Sequence, residues 1–332
     1  MPRYLITGGA GFIGANLAHT LVDRGETVRI LDDFSTGRPE NLRGIEERIE
    51  ILRGDIRDPA IMSRAVNGVE VILHQAALNS NPRSIQEPVQ TNDVNVGGTL
   101  TLLQAARAAG TRRVVYASSS SVYGEVAGLP ALSAVPAQAG ATAAAQAGLP
   151  KTEDMPTAPK APYGVSKLAA EQYCRVFTQV YGIETVSLRY FNVYGPRQHP
   201  DSEYAAVIPR FLRRMLAGKR PVIFGDGEQS RDFTPVDNVV AANLLAAHSR
   251  EGIGEVMNIA GGTSSTLNQL VAWLNEVLGT DLTPLYEPPR PADIRHSYAS
   301  IRKAEALLGY RPQLGVQEGL RRTVEWFRVH EC

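Results

Sequence analysis

The chain is poor in cysteine, has no long apolar run and carries no net charge, and each shortage removes a class of function. Two cysteines, Cys174 and Cys332, cannot build a disulfide framework and suit a reducing compartment, so the cytoplasm is expected. No apolar run approaches the roughly 18 residues of a membrane span. The N-terminus runs straight into the strand pattern RYLIT at 3–7, without the charged and then apolar stretches of a secretory signal. The 34 basic and 34 acidic residues cancel, which favours neither nucleic acid nor an anionic membrane as a partner. The six histidines never recur at metal-ligand spacing, which predicts no metal site. What is left is 332 residues, ample for a buried core in one large or two medium domains.

What the chain does have begins with a strand, a glycine loop and a helix. RYLIT is followed by GGAGFIG, then by Ile13, Leu17 and Leu21 at a spacing of four. Glycines at 8, 11 and 14 allow a tight turn, close backbone approach to a pyrophosphate and close packing of helix on strand, with the helix N-terminus facing the phosphates. The next strand, TVRIL, ends at Asp32, where a carboxylate accepts hydrogen bonds from an adenosine ribose and repels a 2′-phosphate; NAD is therefore expected over NADP. Asp32 and Asp33 would also suit a simple turn, and Arg38 leaves some room for NADP. The pattern then repeats: strand 49–52, helix near 59–67, strand 69–73 and helix near 92–109. Such alternation predicts an α/β fold with a doubly wound parallel sheet covered on both faces. Asn95 in the last helix could tie neighbouring loops together or cap a turn.

Two later stretches carry chemistry-bearing residues. YASSSSVYG at 116–124 follows the apolar strand RRVVYA, which puts its serines at a strand's carboxyl end, where open α/β sheets bind ligands. In APYGVSK at 161–167, Tyr163 and Lys167 lie one turn apart on one helix face, so an ammonium can sit near a phenol and lower its pKa. Further on, Thr266 and Gln269 read as a capping box opening helix 267–278, which Gly279 stops.

TGGAGFIG, DDFSTG, GDIRD, HQAAL, SSSSVYG, YGVSK, RYFNVYGPRQ, FGDGEQSRDFTPVDN and RPADIRHSYA, in that order, resemble the extended short-chain dehydrogenase/reductase family and, within it, the UDP-sugar 4-epimerases. The resemblance covers nearly the whole chain. It implies a Rossmann domain at 1–188 plus 234–260 with bound NAD, and a smaller C-terminal α/β substrate-binding domain at 189–233 plus 261–332. It also implies catalysis by Ser119, Tyr163 and Lys167. By the same resemblance the cofactor would lie against Gly8, Gly11, Phe12, Ile13 and Gly14, then Asp32, Asp33, Ser35, Thr36 and Gly37. Asp55, Ile56, Ala76, Ala77, Asn95, Ser118, Tyr163, Lys167 and Tyr190 would complete its site. The substrate would meet Ser80, Arg83, Ser119, Ser120, Tyr163, Asn192, Val207, Ile208, Ile223, Arg231, Arg290, Asp293 and Ser297, with Asn192, Arg231 and Arg290 gripping a diphosphate.

Within that family, dehydratases and decarboxylases carry acids after the active-site hydroxyl, where this chain has Ser120 and Ser121. A simple 4-epimerase is implied. Ser297, at a position that limits room beside the sugar's 2-substituent, implies that UDP-N-acetylglucosamine and its galacto epimer are accepted beside UDP-glucose and UDP-galactose. Asn79 and Asn81 depart from the small residues expected there and leave a uronic acid substrate open. A regulator that binds NAD without catalysis would not need serine, tyrosine and lysine together. A homodimer is implied through helices near 92–109 and 163–181, with Leu102, Ala106, Ala169 and Tyr173 on the outer face. The plain departure is a long connection in which AGLP occurs at 127–130 and 147–150 and nine of residues 131–150 are alanine. It reads as a surface insertion or as a lid.

Overall fold

The computed structural model describes residues 3–124, 150–199, 206–289 and 295–330. The strands in chain order are β1 (Tyr4–Thr7), β2 (Val28–Asp32), β3 (Ile49–Arg53), β4 (Val71–His74), β5 (Arg113–Ser119), β6 (Glu184–Tyr190), β7 (Val193–Tyr194), β8 (Val222–Phe224), β9 (Ser230–Arg231), β10 (Thr234–Pro235), β11 (Val256–Ile259), β12 (Ser265–Thr266), β13 (Leu285–Glu287) and β14 (His296–Ser297). The α-helices are α1 (Phe12–Asp23), α2 (Pro59–Val66), α3 (Asn81–Gln86), α4 (Pro88–Asn92), α5 (Gly98–Ala108), α6 (Pro162–Tyr181), α7 (Val207–Leu216), α8 (Val236–His248), α9 (Leu267–Leu278), α10 (Arg302–Leu308) and α11 (Val316–His330).

Among the described residues, seven strands form one sheet in the order β11-β6-β5-β4-β1-β2-β3, every pair parallel. Strand sequences without a polar face explain why: β1 and β4 are buried at every position, as a sheet covered on both faces requires. Alternate residues feed two cores. Tyr4, Ile6, Val71, Leu73 and Val115 pack with α1 and α8 on one face, while Leu5, Ile72, Val114 and Tyr116 pack with α2, α5 and α6 on the other. The strand order reverses between β1 and β4, and the crevice beyond their carboxyl ends is where such sheets bind ligands.

The rest of the chain builds a third core. Phe211, Leu212 and Met215 of α7 meet Leu270 and Leu274 of α9 and Leu320 and Phe327 of α11. Among the described residues, the remaining strands form a three-stranded sheet, β12-β9-β14, and two pairs, β10-β7 and β13-β8. The capping box at Thr266 is present in both directions, and Gly279 ends α9 at φ 70°.

One expected helix is broken. The stretch 92–109 runs as α4, one π-helical turn at Asp93–Gly97, and then α5. Just after that turn, Gly98 packs closely on the loop after β3, where a Cβ would lie 2.5 Å from the end of the Ile56 side chain. The inserted stretch 131–150 lies, apart from Pro150, outside the described residues.

Candidate active site

The glycine loop forms first. Gly8 follows β1 with φ 67°, and a Cβ on it would meet the Ala76 backbone at 2.8 Å, so the loop is pressed against the segment leaving β4. Gly14 is tighter still, since its Cβ would lie 2.1 Å from the Gly8 carbonyl oxygen. Helix α1 begins at Phe12 behind Gly11, with no side-chain cap and no acid in its first turn. Its first N–H groups and the positive end of its dipole are thus left for an anion. Phe12 and Ile13 are half-buried, with side chains against the first core.

Asp32 stands beside this loop at the end of β2. One carboxylate oxygen accepts from the Ala10 N–H at 2.8 Å and the other from the Phe34 N–H at 2.8 Å. Each oxygen keeps a lone pair for a ribose hydroxyl. Burial raises the Asp32 pKa, and the Phe34 and Ala10 N–H groups oppose that rise. Gly37 lies over the same carboxylate, where a Cβ would come within 2.6 Å. Asp33 accepts from the Ser35 N–H and hydroxyl, and Thr36 is exposed next to them. A glycine cradle that a single Cβ would fill, an uncapped helix N-terminus and a buried carboxylate at the second strand's end together fit a dinucleotide. Gly8, Gly11, Gly14 and Asp32 would hold it.

Asp55 and Ile56 are occupied otherwise. Arg57 clamps the Asp55 carboxylate with Nη2 at 2.5 Å and holds its pKa low, and Ile56 is buried against Gly98. Ala76 and Ala77 follow β4, half-buried. Asn95 settles as a tie: its amide donates to the Leu78 carbonyl at 3.0 Å and the Ser166 hydroxyl at 2.9 Å, and its oxygen accepts from the Leu78 N–H at 2.8 Å. The loop after β4 is thereby fixed to α6. Ser80, at φ 109°, caps α3 by accepting from the Arg83 N–H.

The reactive groups meet across β5 and α6. Ser119 ends β5, and its oxygen accepts from the Ser121 N–H at 3.1 Å, with Ser120 half-buried between them. Tyr163 opens α6; burial raises its phenol pKa and a hydrogen bond with Ser119 works against that rise. Lys167 is buried one turn on, donating to the Ala117 carbonyl at 2.8 Å, with its Nζ 5.0 Å from the centre of the Tyr116 ring. Burial lowers its pKa to about 7. The expected lowering of the Tyr163 pKa by Lys167 does not prevail here, because desolvation of the phenol is the larger effect and the ammonium is turned to Ala117. His74, held between the Thr7 and Thr99 hydroxyls, has its pKa pushed down to about 3 by burial and then by Lys167, so it is a neutral core histidine.

Several expected contacts have other partners. The Ser118 hydroxyl donates to Glu171, away from the crevice edge, because successive strand residues face opposite sides. Tyr190 keeps its hydroxyl in a buried cluster with Gln75 and Asn243. Ile208 and Ile223 are fully buried in the third core, so their side chains serve packing, while Val207 is half-buried at the start of α7. Leu102 and Ala106 also face the core; the exposed apolar face of α6 is made by Val165, Tyr173, Val176 and Val180.

On the substrate side, Asn192 follows β6 at the sheet's carboxyl edge with φ 32°, a conformation that few residues other than glycine adopt. Its amide donates to the Asp232 carbonyl at 3.0 Å. Arg231 donates to the Ser230 carbonyl at 2.8 Å and pairs in register with Ser297, which is 8% exposed. The Asp232 carboxylate accepts from the Gly261 and Gly262 N–H groups, and burial raises its pKa to about 7. Arg290 and Asp293 lie outside the described residues. Glu171, Arg189 and Asp232 are absent from the sequence-based expectations; Glu171, four residues past Lys167 on the buried side of α6, is the legible signal.

Comparison with known proteins agrees with this geometry. A family model for the NAD dependent epimerase/dehydratase family matches residues 4–260. The UDP-glucose 4-epimerase of Mycolicibacterium smegmatis is 38% identical, over 98% of this chain and 98% of that one. The solved UDP-N-acetylglucosamine 4-epimerase of Methanobrevibacter ruminantium, in complex with UDP-N-acetylmuramic acid, superposes with a TM-score of 0.88 at 37% identity, covering 99% and 98% of the two chains. The Thermus thermophilus UDP-glucose 4-epimerase, solved with NAD, gives 0.83 at 36% identity over 99% of each. No described helix is long and apolar enough to cross a membrane. The chain belongs to the NAD dependent epimerase/dehydratase family and is an enzyme that uses NAD.

Proposed function

We propose that the protein is a UDP-hexose 4-epimerase that interconverts gluco and galacto forms, taking UDP-N-acetylglucosamine and its epimer as well as UDP-glucose and UDP-galactose. The observation that carries this reading is the Ser119–Tyr163–Lys167 group at the carboxyl edge of β5 with no carboxylate at 120 or 121. Tyr163, as the phenolate that the positive charge of bound NAD+ would favour against the rise caused by burial, takes the proton of the sugar 4-hydroxyl, and Ser119 holds the 4-oxygen. Bound NAD+ supplies the hydride acceptor for C4. Lys167 anchors the base against β5 and offers its ammonium to the cofactor ribose. The resulting 4-keto sugar turns about its bond to the diphosphate before C4 is reduced from the other face. That turn needs a firm hold on the diphosphate, which we assign to Asn192, Arg231 and Arg290, and a loose hold on the hexose.

Ser297 supports acceptance of the N-acetyl group, since a small side chain in register with Arg231 leaves room where an aromatic one would not. We also propose a homodimer through the face of Val165, Tyr173, Val176 and Val180, and a cytoplasmic location suited to a free, buried Cys174. The test is purified protein without added NAD on UDP-glucose, UDP-N-acetylglucosamine and UDP-glucuronate. Interconversion of the first two without net reduction of NAD, lost in Tyr163→Phe, is expected. Turnover of UDP-glucuronate alone would replace the proposed substrate.

A further inference from the structure

The catalytic hydroxyls stand on two elements that share no local sequence. Ser119 ends β5 and Tyr163 begins α6, and their separation is set only by how the helix lies along the strand. Three side-chain bonds cross that boundary near the chemistry, the longest from the Tyr116 hydroxyl to the Lys167 carbonyl at 3.5 Å. Lys167 Nζ donates to the Ala117 carbonyl at 2.8 Å, and the Ser118 hydroxyl donates to Glu171 Oε2 at 2.8 Å. Ala117 and Ser118 are the two residues before Ser119, and Lys167 and Glu171 are the positions four and eight beyond Tyr163. Each tie therefore fixes one turn of α6 to one residue of β5.

Glu171 is fully buried, a costly place for a carboxylate. Arg189 of β6, in register beside Ser118, answers it with two bonds, Nε to Oε2 at 3.0 Å and Nη2 to Oε1 at 2.6 Å. Burial works against the Arg189 charge, but the Glu171 carboxylate more than offsets it and raises the guanidinium pKa. The third guanidinium nitrogen, Nη1, has no hydrogen-bond partner, and the Tyr123 ring lies 4.6 Å from the guanidinium carbon. The Tyr123 hydroxyl donates in turn to Asn258 beyond β6, on β11. A buried ion pair of this kind often contributes little net stability compared with apolar side chains of the same volume, which points to directionality as its use. A carboxylate shared by a hydroxyl and a bidentate guanidinium fixes position along the helix axis, which a greasy contact would leave free to slide.

We infer that Glu171, Arg189 and Ser118 form a clamp of positioning residues that sets the axial place of α6 on β5 and so holds Tyr163 within hydrogen-bonding reach of Ser119. Glu171 and Arg189 are both buried, so their bonds are made inside the protein. The strength of the clamp matters because a displacement of about 1 Å in a catalytic constellation costs on the order of 10²-fold in rate. The inference rests on the epimerase reading for its kinetic consequence, but not for its structural one.

The experiment uses the double variant Glu171→Met with Arg189→Leu, which leaves no unpaired buried charge, together with the single Arg189→Lys, which keeps charge but cannot bridge both oxygens. Glu171→Gln alone serves as a further check where folding of the double variant fails. The first readout needs no substrate: ultraviolet titration of the Tyr163 phenol, taken as the difference between each protein and its Tyr163→Phe counterpart. The other titratable groups packed round Lys167 and on α6 include His74, Tyr116, Glu171, Tyr173, Cys174 and Tyr181; Tyr116 feels the charge of Tyr163, so the difference reports Tyr163 together with its coupling to Tyr116. Loss of the Ser119 hydrogen bond moves the midpoint upward in the double variant, with Arg189→Lys or Glu171→Gln moving it less. A folded double variant that titrates with the wild-type midpoint overturns the clamp. The second readout is steady-state epimerisation, where kcat falls about 10- to 100-fold with KM within about threefold. Equal loss of kcat and folded fraction, at an unshifted midpoint, assigns the trio to stability alone and overturns the inference. Wild-type protein that titrates as expected but leaves UDP-sugars unchanged defeats the epimerase reading and leaves the clamp standing.

Discussion

The β1–loop–α1 unit at residues 4–23 and the β5–α6 pair, at 113–119 and 162–181, flank the same crevice but are held in different ways. In the first, the constraint is an absence of atoms: Gly14 sits where any Cβ would fall 2.1 Å from the Gly8 oxygen. In the second, it is a set of directed polar bonds, Lys167 to Ala117 and Ser118 to Glu171 to Arg189. Steric closeness can be specified within a dozen residues of chain. Alignment of groups from distant segments cannot, and it calls on buried polar partners whose geometry is sharper than that of apolar contact. The nucleotide end is thus a local device, and the chemical end is a tertiary one.

Substitutions can separate the two ends. The largest effect is expected for Tyr163→Phe, which should lower kcat by about 10³-fold or more while bound nucleotide and Tm stay close to wild type. Nucleotide loss in that variant would mean that the two ends are not separable. Gly14→Ala should do the reverse: backbone must shift, stability should fall by about 2–3 kcal/mol, and nucleotide content of the purified protein should drop, although Ser119, Tyr163 and Lys167 are untouched. Thermal unfolding and nucleotide content measured on one sample would check both.

Ser297→Tyr should alter selectivity instead of chemistry, disfavouring the N-acetylated pair by about 10²-fold in kcat/KM relative to the plain pair. An unchanged ratio would remove Ser297 from the sugar's surroundings. A smaller effect is expected from Lys167→Met on the pH dependence of stability. Burial lowers the Lys167 pKa from 10.5 to about 7, so between those values the folded state binds fewer protons than the unfolded state. The lysine's contribution to stability therefore rises with pH across that window and is least favourable below it. The Tm difference between variant and wild type should favour the variant most below about pH 7 and shrink as pH rises; a difference constant with pH would contradict the depressed value. The smallest effect is expected for Val180→Asp on the exposed face of α6, where Val180 is 64% exposed. Sedimentation should show a shift from dimer to monomer with little change in nucleotide content, and a wild-type protein already monomeric at micromolar concentration would end the dimer proposal.

Much of the layout is legible in the sequence. Strand–helix alternation leads to the parallel sheet, the Thr266–Gln269 pair marks the start of α9, and TGGAGFIG places the loop. Side-chain direction is not legible in the same way. Ser118, Tyr190, Ile208 and Ile223 stand in the right stretches, but a stretch does not say which way a side chain points; Ser118 turns to Glu171 and Tyr190 to Asn243. Leu102 and Ala106, expected on an outer face, are buried in the second core, because packing against the sheet decides which face of α5 turns inward.

By itself, the sequence determined what depends on neighbours along the chain: where strands alternate with helices, where glycine alone can stand, and which residue types lie one turn apart in Tyr163 and Lys167. Only the tertiary structure decided which residues from distant segments share a bond, as Glu171 does with Ser118 and Arg189, and how burial moves Lys167 down to about 7 and raises Tyr163. The reason is physical. Local geometry is set by backbone sterics over a few residues, whereas desolvation and bond alignment depend on everything packed around a group, most of it remote in sequence.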